Sequence, residues 1–306
     1  MYSAAQVPSV NGKTFVITGG NSGIGFEAAR VLVRNGGRVV LACRDARKMA
    51  AAVQSLKAET SAAIVDELVL DLSSLTSIES AAAQLKQSHQ KVDVLINNAG
   101  VMALPELTTT DGFEMQFGTN HLGHFAFTGR VLPLVLAAEA GRIVTVSSLL
   151  HRGGHIDFAS IPKPKHYDQD KQYSMSKLAN VLFSYELNRK LKAASTKAIA
   201  LACHPGYSAT NLQHVGPRMK GSALMGMVMS LANTLVAQSA EMGSLGTLMA
   251  ATAPEIQGGK YVGPIGFNHM RGAPIISKSN AESYDETVAA KLWQVSEQLT
   301  GVSYTF

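Results

Sequence analysis

Thr14-Phe-Val-Ile-Thr18-Gly19-Gly20-Asn21-Ser22-Gly23-Ile24-Gly25 is the stretch that decides the fold. A β-branched, apolar run stops at a glycine-rich turn, and a helical pattern over Ile24–Asn35 begins inside that turn. Glycine allows the tight reversal and lets backbone N–H groups approach a ligand closely. The N-terminus of the following helix carries partial positive charge, which favours a phosphate. Gly19, Gly23 and Gly25, with Asn21, Ser22 and Ile24 between them, therefore read as a cradle for a pyrophosphate. The spacing Thr-Gly-x-x-x-Gly-x-Gly is not the Gly-x-Gly-x-x-Gly pattern of many dinucleotide sites.

Outward from this turn, short strand-like runs alternate with longer helical patterns. Strands are expected at Thr14–Thr18, Arg38–Ala42, Asp66–Leu70, Val92–Asn97, Arg142–Ser147, Ala198–Cys203 and Gly259–Val262. Helices are expected at Ile24–Asn35, Ala46–Glu59, Leu75–Gln87, Phe113–Ala138, Gln172–Ala193 and Ala240–Thr252. Several strands are apolar throughout, as when helices cover both sheet faces. The 306 residues, 46% hydrophobic, suffice for one large α/β domain with a doubly wound parallel sheet of about seven strands. No repeat, low-complexity tract or linker marks a second domain, so residues 1–306 are expected to form one unit. Its cofactor half spans about 11–140 and its catalytic half about 141–306. Two stretches break the alternation. His151–Lys171 reads as a long loop, and Tyr207–Ser239, rich in Met, Gly and Leu, as a pocket wall or lid at about 207–239. Within the latter, Met219–Met229 suits either adaptable apolar contact or packing on the core or a neighbouring subunit.

Tyr173-Ser-Met-Ser-Lys177 puts a phenol and an ammonium one helical turn apart on one face. A neighbouring cation favours the phenolate, which would pull a tyrosine pKa down from about 10 toward neutrality. The formal charge of +5 is modest, and no basic run alternates with aromatics, so nucleic acid is not an expected partner. Cys43 and Cys203 end apolar runs and read as buried thiols of a reducing compartment. Met1–Val10 does not resemble a signal peptide. No window approaches the roughly 18 apolar residues of a membrane span; the nearest, Gly221–Ala232, is too short and too rich in small residues. A soluble, cytoplasmic protein is the expectation, as a monomer or a homo-oligomer.

Taken together, the glycine turn and Tyr173-x-x-x-Lys177 resemble a short-chain dehydrogenase/reductase, a Rossmann-type family, over essentially the whole chain. The resemblance implies roles for further residues. Asp71-Leu72 resembles the pair that contacts adenine, Asn97-Asn98-Ala99-Gly100 the turn that faces the cofactor ribose, and Pro205-Gly206 the turn near the nicotinamide. Tyr173 would be the general acid/base, Lys177 would lower its pKa and hold the nicotinamide ribose, and Ser148 would orient the substrate oxygen. Ser147 takes that part if the register is shifted by one. Asn120 would hold a water linking the lysine to solvent.

Cofactor choice turns on the end of the second strand, where an acidic residue selects NAD and cations select NADP. Leu41-Ala42-Cys43-Arg44-Asp45 places Arg44 there, with Arg47 and Lys48 following. Its planar, multi-donor head suits a 2′-phosphate, whereas Asp45 falls one position late and suits a helix cap. NADP(H) is the expected cofactor.

Ser148 and Tyr173 lie 25 positions apart, longer than in many family members. That spacing, together with Ala42-Cys43-Arg44-Asp45, Ser176–Asn180 and Lys291–Gly301, is similar to the retinol dehydrogenase and WW-domain oxidoreductase subgroup. Membrane-bound members often carry an N-terminal apolar anchor that this sequence does not show, so retinol itself is not the expected substrate. The resemblance implies a carbonyl reductase or alcohol dehydrogenase acting on a largely apolar small molecule. Rival readings are a carbon–carbon double-bond reductase resembling protochlorophyllide reductase, and a non-catalytic NADPH-binding sensor. The former is weakened by the absence of a cysteine proton donor in Tyr207–Ser239. The latter is weakened because the chain keeps both tyrosine and lysine. His121, His124, His151, His155 and His166 do not show zinc-like spacing, so no metal is expected.

Overall fold

The β-branched runs do form strands, and they assemble into one twisted sheet. A computed structural model describes residues 2–207 and 238–306. Residues 208–237, and with them most of the expected lid, the Met219–Met229 stretch and Gly221–Ala232, lie outside the described residues. The strands are β1 (Thr14–Thr18), β2 (Arg38–Cys43), β3 (Ile64–Val69), β4 (Val94–Asn97), β5 (Arg142–Val146), β6 (Ile199–Cys203), β7 (Tyr261–Gly266) and β8 (Arg271–Ser277), in the order β3-β2-β1-β4-β5-β6-β7-β8. All pairs are parallel except β7 with β8.

The expectation of about seven strands is therefore one short. Arg271-Gly-Ala-Pro-Ile-Ile-Ser277 was not expected as a strand because Gly272 and Pro274 interrupt it. Proline is tolerated there because β8 is an edge strand. Pro264, opposite Pro274, lies beyond the two residues of β7 that pair with β6.

Helices cover both faces. On one side pack α1 (Gly23–Arg34), α2 (Ala46–Glu59) and α6 (Ala240–Thr252); on the other pack α3 (Leu75–Ser88), α4 (Gly123–Leu136), α5 (Gln169–Ala193) and α7 (Glu286–Thr300). The pleat divides β1 between them. Phe15 and Ile17 join the first core, and Val16 joins the second with Val40, Leu95 and Ile143. Helix starts follow ordinary capping chemistry. Asp45 accepts from Lys48 N at 3.0 Å, Ser74 from Ser77 N at 3.3 Å, and Asp285 from Val288 N at 3.0 Å. Helix α7 was not among the expected helices; it ends on Gly301 in the left-handed region at φ 65°.

The single helix expected over Phe113–Ala138 is interrupted. One α turn at Met115–Phe117 passes into a π turn at Gly118–Leu122 before α4 begins. Glu114 caps the first turn, accepting from Gln116 N at 2.9 Å and Phe117 N at 2.6 Å. At the start of α4, Gly123 lies against Leu72, and a Cβ there would collide with the Leu72 carbonyl oxygen. The expected loop His151–Lys171 is irregular apart from short 3-10 turns at Leu149–Gly153 and Phe158–Ser160 and the start of α5.

Gly123→Ala should lower the thermal midpoint. Alanine gains about 1 kcal/mol of helix propensity, but overpacking against a backbone oxygen costs about 1–3 kcal/mol. A midpoint equal to or above the parent in a thermal melt would contradict the close approach of α4 to Leu72.

Candidate active site

Strand order reverses between β1, which leads on to β2, and β4 beside it. In open parallel sheets the crevice outside the carboxyl ends at such a switch point receives the ligand. The glycine turn sits there. Gly19 and Gly23 have φ of 65° and 56°, values that a side chain tolerates poorly. Ser22 stands at the N-cap of α1 without capping it, and the first turn of α1 holds no acidic residue. Neither the N-cap nor the first turn of α1 thus compensates the positive end of the helix.

Thr18, the last residue of β1, fixes this turn to the next one. Its hydroxyl accepts from Asn98 N and Ala99 N, both at 2.9 Å, while Asn98 Nδ2 donates to the Thr18 carbonyl at 2.8 Å. Gly25 must be glycine for the same junction, since a Cβ there would meet Asn98 Nδ2 and the Gly19 carbonyl. At the end of β2, Arg44 is exposed and has no ion-pair partner among the described residues, while Asp45 is committed to capping α2. Asp71 accepts from Ser73 N at 2.9 Å and Ser73 Oγ at 2.7 Å, which holds the turn leading to Leu72.

The chemical residues converge at the ends of β4, β5 and β6. Tyr173 and Lys177, one turn apart on α5, are 4% and 3% exposed. Lys177 Nζ lies 5.7 Å from the Tyr173 ring centroid and donates to the Val146 carbonyl at 3.2 Å. Gly100 faces the lysine. A Cβ there would sit 3.3 Å from Lys177 Nζ and 3.1 Å from Asn120 Oδ1. Ser148 contributes a hydrogen bond to the Tyr173 hydroxyl. Ser147, by contrast, is buried and donates to the Lys177 carbonyl at 2.7 Å, so Ser148 is the serine beside the phenol.

Charge behaves differently from the expectation for this pair. Burial pushes the Tyr173 phenol up to about 12, with the Ser148 hydrogen bond opposing it, and pushes the Lys177 ammonium down to about 8. The lowering of the tyrosine by its lysine is not seen; Nζ lies over the ring, and desolvation dominates. The phenol is accordingly protonated at neutral pH.

Asn120, and several residues that the sequence reading did not place in the site, support these groups. Asn120, in the π turn, accepts from Val101 N at 2.8 Å and donates to the Val101 carbonyl at 2.9 Å and to Ser176 Oγ at 3.0 Å. Ser176 donates to the Tyr173 carbonyl at 2.7 Å. His151, three residues after Ser148, donates from Nδ1 to the Ser148 carbonyl at 2.7 Å and accepts at Nε2 from Asn280 N at 3.2 Å. Tyr261 on β7 has its hydroxyl 3.1 Å from the same Nδ1 and stacks its ring on His204 at 5.3 Å. Spacing from Asn120 and Ser148 was the available signal for such neighbours. His121 packs among Phe117, Phe125 and Phe183 and reaches Ser296 Oγ at 2.9 Å. Pro205-Gly206 follows β6; Gly206 has φ 69°, and Gln238 Nε2 donates to the Pro205 carbonyl at 2.5 Å. A separate cleft of about 440 Å³ at the outer sheet edge, lined by Arg38, Asp66, Glu67 and His89 among others, shares no residue with this site.

Fold and site define a class, and comparison with known proteins agrees. The chain belongs to the short chain dehydrogenase family, which matches its residues 13–220, and so to the nicotinamide-dependent oxidoreductases. It is similar to retinol dehydrogenase 13 of Homo sapiens, 41% identical over 304 residues, covering 98% of this chain and 87% of that one. Retinol dehydrogenase 14 of Homo sapiens is 37% identical over 308 residues, with 96% and 88% covered. A crystal structure of an uncharacterized protein from Mycobacterium paratuberculosis superposes with a TM-score of 0.81 at 40% identity, covering 100% of this chain and 99% of that chain. The resemblance to the retinol dehydrogenase subgroup is thereby borne out.

Burial holds four histidines neutral: His121 and His204 are lowered to about 3, and His124 and His151 to about 4. An unfolded histidine titrates near 6.5, so between about 6.5 and 4 the unfolded chain binds protons that the folded one refuses. Stability present above pH 6.5 should therefore fall on acidification, by up to about 1.4 kcal/mol per pH unit for each histidine. Urea denaturation across this pH range is the check; a flat stability profile would mean that these rings are protonated in the fold.

Proposed function

We propose that this protein is an NADP(H)-dependent oxidoreductase. It moves hydride between the nicotinamide and the carbonyl or alcohol of a largely apolar small molecule, with Tyr173 as general acid/base. The observation that carries the reading is the meeting of Tyr173, Ser148 and Lys177 beside the glycine turn at the switch point. The residues present fit a phosphorylated dinucleotide. Gly19–Gly25 offers an uncapped helix end to the pyrophosphate, and Arg44, exposed at the end of β2 with no competing ion pair among the described residues, would meet the 2′-phosphate. Asp71 and Leu72 serve the adenine, Asn98, Ala99 and Gly100 the ribose side, and Pro205 and Gly206 the nicotinamide side. In this reading the cofactor half is about 11–140 and the catalytic half about 141–306.

When bound, the nicotinamide supplies or accepts the hydride. In the reducing direction Tyr173, protonated at neutral pH, donates its phenolic proton to the substrate oxygen. Ser148 donates a hydrogen bond to that oxygen and fixes its direction. Lys177 places a cation beneath the tyrosine ring and offers its remaining N–H bonds to the ribose. An apolar substrate is supported by the relatives named as retinol dehydrogenases. A reducing, cytoplasmic setting is supported by Cys43 and Cys203, both buried thiols. Among the described residues no helix is long and apolar enough to cross a membrane.

NADPH consumption should be screened against aliphatic and aromatic aldehydes, ketones, quinones and retinal. Tyr173→Phe should then lower turnover by about 10²–10⁴ while NADPH binding survives, because the hydroxyl serves the substrate oxygen. Turnover close to that of the parent would remove Tyr173 from its role.

Arg44→Asp should weaken NADPH far more than NADH. One charge-assisted hydrogen bond contributes roughly 1.5–3 kcal/mol, about 10- to 150-fold in affinity, and the new carboxylate repels the phosphate. Arg47 and Lys48 would offset part of the loss. Steady-state kinetics with both cofactors decides; an unaltered NADPH/NADH ratio would mean that Arg44 points to solvent.

A further inference from the structure

The π turn and the glycine turn are joined by the side chain of His124. His124 lies four residues after Asn120, on the same helical face, and is 1% exposed. Its Nε2 is 2.9 Å from Thr18 Oγ1, and its Nδ1 is 2.8 Å from the Asn120 carbonyl oxygen. The proton positions follow from counting. Thr18 Oγ1 already accepts from Asn98 N and Ala99 N, so its own hydrogen is left to donate. Two acceptors compete for it: the Ile96 carbonyl at 3.5 Å and His124 Nε2 at 2.9 Å; the shorter contact wins. Nε2 therefore accepts, the ring proton sits on Nδ1, and Nδ1–H donates to the Asn120 carbonyl. An imidazolium has no acceptor nitrogen and would break the first of these bonds. Burial, the main cause of the pKa near 4, keeps the ring neutral.

We propose that His124 is a positioning residue. Through two hydrogen bonds of fixed polarity, it sets the Asn120 segment relative to the turn that grips the cofactor pyrophosphate. The chain of contacts has two ends. One runs through Thr18 to Asn98, Ala99 and the glycine turn. The other runs through Asn120 to Val101, Ser176 and the Tyr173 carbonyl. A packing role would ask only for an apolar ring of this size. The two polar contacts ask for a donor at one ring position and an acceptor at the other.

That difference makes the inference testable, and it rests on the reading of the site as an NADP(H) oxidoreductase. Asparagine places an amide donor near the position of Nδ1 but does not reach Thr18. Glutamine places a carbonyl oxygen near Nε2 and leaves the Asn120 carbonyl without its donor. In His124→Asn the larger loss should be in NADPH affinity, and in His124→Gln the larger loss should be in turnover at saturating NADPH. Each should amount to about three- to tenfold, the worth of one buried neutral hydrogen bond. Affinity is read by direct calorimetric titration of NADPH, without substrate. Turnover is read with the best aldehyde of the panel. A common ratio of affinity loss to turnover loss in both variants would overturn the proposal, because mere loss of packing does not distinguish the two nitrogens. Should either variant fail to fold, Thr18→Val tests the link from its other end. As in His124→Asn, a larger loss in NADPH affinity than in turnover supports it, and a larger loss in turnover refutes it. A parent protein that does not bind NADPH in the same titration would instead refute the function reading itself.

Discussion

The hydroxyl of Thr18 is the contact on which the site depends. It closes the central strand where the strand order reverses, and it is wholly buried. Two N–H groups of the turn after β4 would have no acceptor without it, and an unmet buried donor costs about 1–3 kcal/mol. The glycine turn therefore does not hang from β1 alone. It is tied to β4, and Asn98 returns the tie through its amide to the Thr18 carbonyl. A pyrophosphate cradle made of glycines has little stiffness of its own. The stiffness comes from this junction.

Burial then shapes the chemistry. Lys177 and Tyr173 are both desolvated, which drives each toward its neutral form. For the tyrosine that means a phenol that keeps its proton at neutral pH. For the lysine it means a pKa of about 8, close to neutrality, at a group that donates to the Val146 carbonyl in an otherwise crowded space. A Cβ on Gly100 would stand beside the ammonium and the Asn120 amide, so the glycine keeps that approach clear. The site thus surrounds the tyrosine and the lysine with tightly packed supports.

Much of this was legible in the sequence, for identifiable reasons. The glycine turn, the Asp45 cap and the Tyr173–Lys177 pair are local patterns, and spacing alone places them on a strand end or a helix face. The edge strand β8 was not legible, because Gly272 and Pro274 erase the strand pattern that pairing with β7 restores. The break in the helix before α4 was hidden for the opposite reason. Nothing in its sequence but Gly118 and Gly123 marks the π turn, and the contact of Gly123 with Leu72 that accompanies it is tertiary. The raised Tyr173 pKa was missed because a sequence displays the neighbouring cation but not the degree of burial.

One device recurs on both flanks of the tyrosine. His124 and His151 are each a few residues beyond a site residue, Asn120 and Ser148, and each donates from Nδ1 to that residue's carbonyl. Each then accepts at Nε2 from a distant part of the chain, Thr18 in one case and Asn280 N in the other. A lysine or arginine in these places could donate but not accept, and an aspartate could accept but not donate. A neutral imidazole offers both on one rigid plane. Burial, by lowering both rings to about 4, preserves that neutral form across the physiological range. The same desolvation that strains the lysine thus makes the histidines dependable connectors, which is why a site performing proton chemistry can be surrounded by imidazoles that do not titrate with it.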